Sequence, residues 1–184
     1  IYSAQWVQNN KKYAMKKISL TDFREIQNAK DKISIIRQFY NKTNHIGIIK
    51  VYGDFYRKIG NEFQYFILME LSEKYWHKEI KLKIKYMQYY SEYELLQIIN
   101  QLIYTFSLLQ KNNITHRDIK PQNILIVNNI YKVCDFGEAR ILKGNGLLVQ
   151  SIRGSELFMS PILFHALNNG MTQVGHNTFK SDVF

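Results

Sequence analysis

The chain has one cysteine, two prolines and nine glycines in 184 residues, and each scarcity removes a class of protein. A lone Cys134 cannot build an internal disulfide framework or a multi-cysteine metal site, and it favours a reducing compartment. So little proline and glycine argues against a linker-rich or disordered chain. No apolar run approaches the roughly 18 residues of a membrane span; YFILMEL is far too short. The opening residues, IYSAQWVQNNKK, lack the charged-then-apolar-then-small order of a signal peptide. Neither an internal repeat nor a low-complexity segment is present.

What is there is a core and an excess of positive charge. Hydrophobic residues make up 46% and aromatics 14%, enough for one or two globular lobes. The formal charge is +10, which fits a solvated basic surface, an anionic partner or a phosphorylated ligand. Much of it lies in KYWHKEIKLKIKYMQYY, where aromatics interleave with lysines. No nucleic-acid-binding motif accompanies that run, so no specific nucleic-acid partner is expected.

Periodicity gives the coarse layout. KYAMKKISL alternates as a half-buried strand. TDFREIQNAKDKISIIRQFY shifts to a helical period, with Asp22 placed to cap and Glu25 three residues on. HIGIIKVYGDFY and EFQYFILMEL read as strands around a turn at Gly60 and Asn61. SEYELLQIINQLIYTFSLLQKNN opens on a Ser91–Glu94 capping box. Its stripe of Leu95, Ile98, Leu102, Phe106 and Leu109 is widened by Leu96, Ile99, Ile103 and Leu108, which predicts burial over much of its circumference. From Ile114 the pattern is strands and loops, with a short helix at PILFHALNNG. The class is α+β: a strand-rich lobe, then a helix-rich lobe, with a boundary near Glu70 to Ser72.

The chemistry concentrates in THRDIKPQNILIVNNIYKVCDFGEAR. Ile124–Val127 and Ile130–Cys134 are apolar strands joined by Asn128-Asn129, and asparagine tolerates the positive φ of a tight hairpin. With Val127 opposite Ile130, Asn123 falls opposite Cys134 and next to Asp135. A carbonyl oxygen and a carboxylate side by side suit Mg²⁺, which takes few protein ligands and keeps phosphates and water. Gly137 lets the chain turn away. Asp118 can face the same volume and accept a proton from a hydroxyl nucleophile, while Lys120 brings positive charge to a transferring phosphoryl group. Any one of these residues alone would more often cap a turn; the joint spacing from Asp118 to Gly137 points to a site.

The sequence resembles the eukaryotic-type protein kinase family, of Ser/Thr type. HRDIKPQN resembles its catalytic loop and DFG its metal-binding motif; YAMK, FILMEL, GSELFMSP and KSDVF follow the family order along the whole chain. The resemblance implies a two-lobe fold with a small antiparallel-sheet N-lobe carrying one helix (residues 1–70) and a mainly helical C-lobe (71–184). It implies ATP as substrate with Mg²⁺, a protein acceptor bearing Ser or Thr, and a cytoplasmic location with the nucleus left open. Oligomeric state is not implied. Lys16 would pair with the α/β-phosphates, and Met69 would be the gatekeeper before the backbone of Glu70 and Ser72. Ile1, Ala14 and Leu125 would sandwich adenine, and Asn123 and Asp135 would hold the metal. Val51, Ile36, Phe136 and His116 would form a packed column between the lobes. Ser155 would serve the substrate loop beside Lys120, and Asp182 would brace the catalytic loop. Arg117 would receive a phosphorylated residue, with Ser151 the best-placed acceptor.

The resemblance breaks in three places. Ile1-Tyr2 resembles the residues after the family's glycine-rich loop, and Phe184 falls inside the helix that anchors the C-lobe, so a domain truncated at both ends is expected. Ile162 stands at the glutamate of the family's APE motif. Lys32 stands where a glutamate should pair with Lys16; Asp31 is turned about 100° away around the helix and Glu25 lies two turns off. Lys16 is therefore expected to be poorly held, with a second lysine repelling it. This motivates a second reading, a pseudokinase acting as a nucleotide-binding or scaffolding module.

Overall fold

The structure is a computed structural model, and it describes residues 1–5, 10–142 and 147–183. The first part of the chain is an antiparallel sheet of β1 (Tyr2–Gln5), β2 (Lys12–Leu20), β3 (Val51–Ile59) and β4 (Glu62–Met69), in the order β1-β2-β4-β3. Helix α1 (Phe23–Thr43) crosses between β2 and β3. Asp22 caps it by accepting from the Glu25 N–H at 2.9 Å, while the Glu25 carboxylate turns back to the Thr21 N–H and hydroxyl. Ile26 of the helix is buried against Tyr65 and Ile67 of the sheet.

The second part opens with β5 (Lys74–Tyr75), α2 (Trp76–Lys85) and α3 (Glu92–Lys111). The α3 capping box is complete, Ser91 accepting from the Glu94 N–H and the Glu94 carboxylate accepting from the Ser91 N–H. The remaining elements are β6 (Ile114–Thr115), β7 (Ile124–Val127), β8 (Ile130–Val133), β9 (Arg140–Ile141), β10 (Leu147–Ser151), α4 (Pro161–Asn168), β11 (Gln173–Asn177) and α5 (Thr178–Val183). The β7–β8 hairpin has the expected register, Val127 opposite Ile130, with Asn128 and Asn129 both at positive φ. Its apolar faces are buried against α3 on one side and the loop before β3 on the other: the Val133 N–H donates to Gly47 O (2.8 Å) and the Ile49 N–H to Val133 O (3.0 Å).

One expectation changes, and two segments left without an assignment take form. Helix α3 buries one face through Ile98, Thr105 and Leu109, but Leu96, Ile99 and Ile103 are about half exposed, because no described residue packs over that side. The lysine-rich run forms α2, held by Glu79, which accepts from Tyr90 (2.8 Å), Tyr131 (3.1 Å) and Lys74. Finally, β11 forms by pairing with β10, Ser151 opposite Gln173. No described helix is long and apolar enough to cross a membrane.

Candidate active site

The loop between β6 and β7 lies over α5. Asp182 in α5 accepts from the backbone N–H groups of His116 and Arg117, both at 2.7 Å, and from the Thr115 hydroxyl at 2.5 Å. Three donors on one carboxylate fix a turn in which Arg117 sits at φ 70, a region costly for a side chain without such support. His116 is fully buried; its Nε2 donates to Cys134 O (2.9 Å) and its Nδ1 accepts from the Asp118 N–H (3.3 Å). That pattern requires the neutral ring, and burial pushes the imidazole below its ordinary value. Its ring meets Phe136 edge-on at 4.7 Å, and Phe136 shares a buried cluster with Ile36. Val51, expected in the same column, packs instead in a separate cluster with Ile26, Tyr65 and Ile67.

Asp118 is held on both oxygens. Oδ2 accepts from Lys120 (2.7 Å) and Asn123 Nδ2 (2.9 Å), and Oδ1 from the Ser155 hydroxyl (3.0 Å), which itself accepts from Lys120 (2.6 Å). Burial alone would raise this carboxyl, but the bonds from Lys120 and Ser155 outweigh it and hold it below the usual range. Gly154 is what allows Ser155 so near: at φ +112, a Cβ there would meet Arg117 O at 2.8 Å. Because the Asn123 amide nitrogen is committed to Asp118, its carbonyl oxygen is the atom left for a cation.

Above the hairpin lies a cavity of about 420 Å³, lined by Ile1, Ala14, Lys16, Met69, Glu70, Ser72, Asn123, Leu125 and Asp135 among others. The eight residues expected at the nucleotide, Ile1, Ala14, Lys16, Met69, Glu70, Ser72, Leu125 and Asp135, thus line one volume, while Asp118 and Lys120 are not part of its lining. Ala14, Met69 and Leu125 form its apolar wall with Ile49, Val127 and Cys134. The Glu70 N–H is used by Lys50 O (2.9 Å), so a contribution of Glu70 to a bound base would come from its carbonyl. Asp135 is in the left-handed region (φ 60, ψ 64) and accepts from Lys16 at 2.6 Å. A side chain at Gly137 would come within 3.3 Å of Asp135 Oδ1. Among the described residues no three His, Cys, Asp or Glu side chains gather as a metal cluster. An ion here would rest on Asn123 and Asp135, with other ligands from phosphates and water, a donor set that fits Mg²⁺.

Neither acidic residue of α1 bonds Lys16: Asp31 accepts from Gln27 (2.9 Å) and Glu25 from Thr21. Lys32 donates instead to the Gly137 carbonyl. Arg117 donates to the Ser151 carbonyl and, at 3.3 Å, to its hydroxyl. Sequence reasoning missed the pair between Lys132 and both oxygens of Glu70 (2.8 Å each), which ties β8 to the segment after β4. A lysine inside the apolar run IYKV was the available signal.

The family profile described as "Protein kinase domain" matches residues 1–184. The chain belongs to the protein kinase domain family. Among relatives of this kinase-family chain, human mitogen-activated protein kinase 4 is 30% identical over 165 residues, 82% of this chain and 27% of that protein. Calcium-dependent protein kinase 6 of Plasmodium berghei is 33% identical over 124 residues, 66% of this chain and 8% of that protein. The serine/threonine-protein kinase TIO of Arabidopsis thaliana is 44% identical over 73 residues, 39% of this chain and 6% of that protein. The kinase-family chain thus spans a small part of the length of its relatives.

Proposed function

We propose that the protein transfers the γ-phosphoryl group of ATP to a serine or threonine hydroxyl of a protein substrate. The observation that carries this reading is Asp118, its pKa held low by Lys120 and Ser155, and bonded through Asn123 to the lining of the cavity that Lys16 and Asp135 share. Asp118 orients the acceptor hydroxyl and takes its proton as the new O–P bond forms and the bond to the β-phosphate oxygen breaks, releasing ADP. Lys120 follows the charge on the moving group, and Lys16 exchanges Asp135 for the α/β-phosphates. Asn123 and Asp135 would hold Mg²⁺, which would supply positive charge to neutralise the phosphates. Met69 and Leu125 bound the adenine slot. Arg117, which donates to Ser151, would receive a phosphate there; mass spectrometry of active protein that finds no phosphate on Ser151 would count against that step.

Full-length protein given ATP, Mg²⁺ and a generic basic protein substrate tests the reading beside Asp118→Asn. We expect a loss of about 10²- to 10⁴-fold in kcat; equal rates would sink it. The second reading, a nucleotide-binding scaffold, draws on the absence of any carboxylate of α1 bonded to Lys16 among the described residues. It predicts a Mg²⁺-dependent thermal shift with ATP and no transfer.

A further inference from the structure

The family resemblance makes Lys32 a defect; its surroundings make it a contact. Ile36 and Lys32 are one helical turn apart on the same face of α1. Ile36 is packed in the cluster that contains Phe136, and the Lys32 ammonium reaches the carbonyl of the next residue, Gly137. The helix therefore grips the Asp135–Gly137 turn twice, once through apolar packing and once through a charge-assisted hydrogen bond. The turn needs such support, because Asp135 sits at φ 60, ψ 64, which a side chain adopts only at a cost. Lys16 and Lys32 avoid competing for one acceptor: Lys16 takes the Asp135 carboxylate and Lys32 the main chain beyond it.

Resting on the kinase reading of the site, we propose that Lys32 is a positioning residue that tethers α1 to the metal-binding turn through the Gly137 carbonyl. It does the job of coupling helix to site without an acidic partner for Lys16. When nucleotide draws Lys16 away from Asp135, the tether on Gly137 remains and keeps the Asp135 carboxylate turned into the cavity.

The test uses full-length wild-type protein, Lys32→Met, Lys32→Arg and Lys32→Glu, in two measurements. In the nucleotide-free protein, hydrogen exchange of the amides from Phe136 to Ala139 should speed up roughly tenfold or more in Lys32→Met. Exchange in β3 and β4 should stay unchanged, and Lys32→Arg should keep the wild-type rate. With ATP present, the Mg²⁺ concentration for half-maximal thermal stabilisation should rise several-fold in Lys32→Met and return in Lys32→Arg. Three results would overturn the tether. One is wild-type exchange and Mg²⁺ midpoint in Lys32→Met. The second is weaker ATP binding in Lys32→Met with exchange unaltered, which would make Lys32 a direct phosphate ligand. The third is tighter Mg²⁺–ATP binding in Lys32→Glu than in wild type, which would make it a replaceable defect. If Lys32→Met loses protection throughout the chain, the comparison of Lys32→Arg with Lys32→Gln decides by the same readouts. Failure of phosphoryl transfer with the exchange pattern intact would refute the kinase reading and leave the tether standing.

Discussion

The loop from His116 to Asn123 and helix α1 border the same site but hold their charges by different means. Around Asp118 and Asp182 every charged group has several polar partners, and each partner serves another: Lys120 and Ser155 bond both Asp118 and each other. Along α1 the polar contacts are separate rather than shared: Glu25 meets Thr21, Asp31 meets Gln27, Arg37 meets Asp54 and Lys42 meets Asn112, while Lys32 reaches across to the site. What anchors α1 is apolar packing of Ile26, Ile36 and Phe39, and the loop that follows it. A polar network fails when one member is removed, since the others are left buried and unpaired. A packed helix fails by volume. The two regions should therefore respond to different kinds of substitution.

The largest effect on stability is expected at the network's root. Asp182→Ala strips acceptors from two backbone N–H groups and from the Thr115 hydroxyl. The cost should be about 3 kcal/mol or more, read as a lower denaturation midpoint. The variant should also lose activity, because Arg117 no longer holds its left-handed turn and Asp118 follows it. A variant as stable as wild type would show that packing alone shapes the loop.

A volume change tests the other region. Gly47 lies in the loop after α1, where a Cβ would meet Thr105 Oγ1 at 2.1 Å and His45 Nε2 at 2.9 Å. Gly47→Ala should cost about 1–3 kcal/mol by overpacking. Thr105→Ala in the same chain should return part of that loss, because it removes the nearer atom; strict additivity of the two changes would break the steric account.

The same division explains what the amino-acid sequence alone carries. The hairpin register followed from Asn-Asn between two apolar runs, and it alone puts Asn123 beside Cys134 and Asp135. The caps of α1 and α3 were legible because Asp22 and Ser91 act on residues three positions away. Contacts from distant parts of the chain were not. Helix α2 is lysine-rich and closes through Glu79, whose partners Tyr90 and Tyr131 lie 11 and 52 positions on. The segment QVGHN becomes β11 only because β10 pairs with it, a tertiary effect that propensity does not carry. The apolar width of α3 predicted burial on most sides, yet only neighbours decide which sides are covered. For Lys32 the sequence marked an unusual position without its partner, because a main-chain carbonyl carries no residue signature.

The smallest expected effect separates the regions by pH. His45 is buried beside α3, its Nε2 3.0 Å from the Thr105 hydroxyl, whose own proton goes to Gln101 O at 2.9 Å. The hydroxyl must therefore accept from a ring N–H, and burial lowers the imidazole pKa below its ordinary value near 6.5. In the unfolded chain His45 gains a proton near pH 6.5, while in the folded protein it resists until the pH is lower. Its contribution to stability is full above that pH and declines as the pH falls toward the folded value. The slope for one site cannot exceed about 1.4 kcal/mol per pH unit. His116 shifts in the same direction and contributes its own slope in the wild type. His45→Asn should thus lower stability at neutral pH yet flatten its fall between about pH 6.5 and 5, measured by urea denaturation at each pH. An unchanged slope would mean that His45 takes up its proton at the same pH in the folded and unfolded chain, and that other groups such as His116 set the fall in this range.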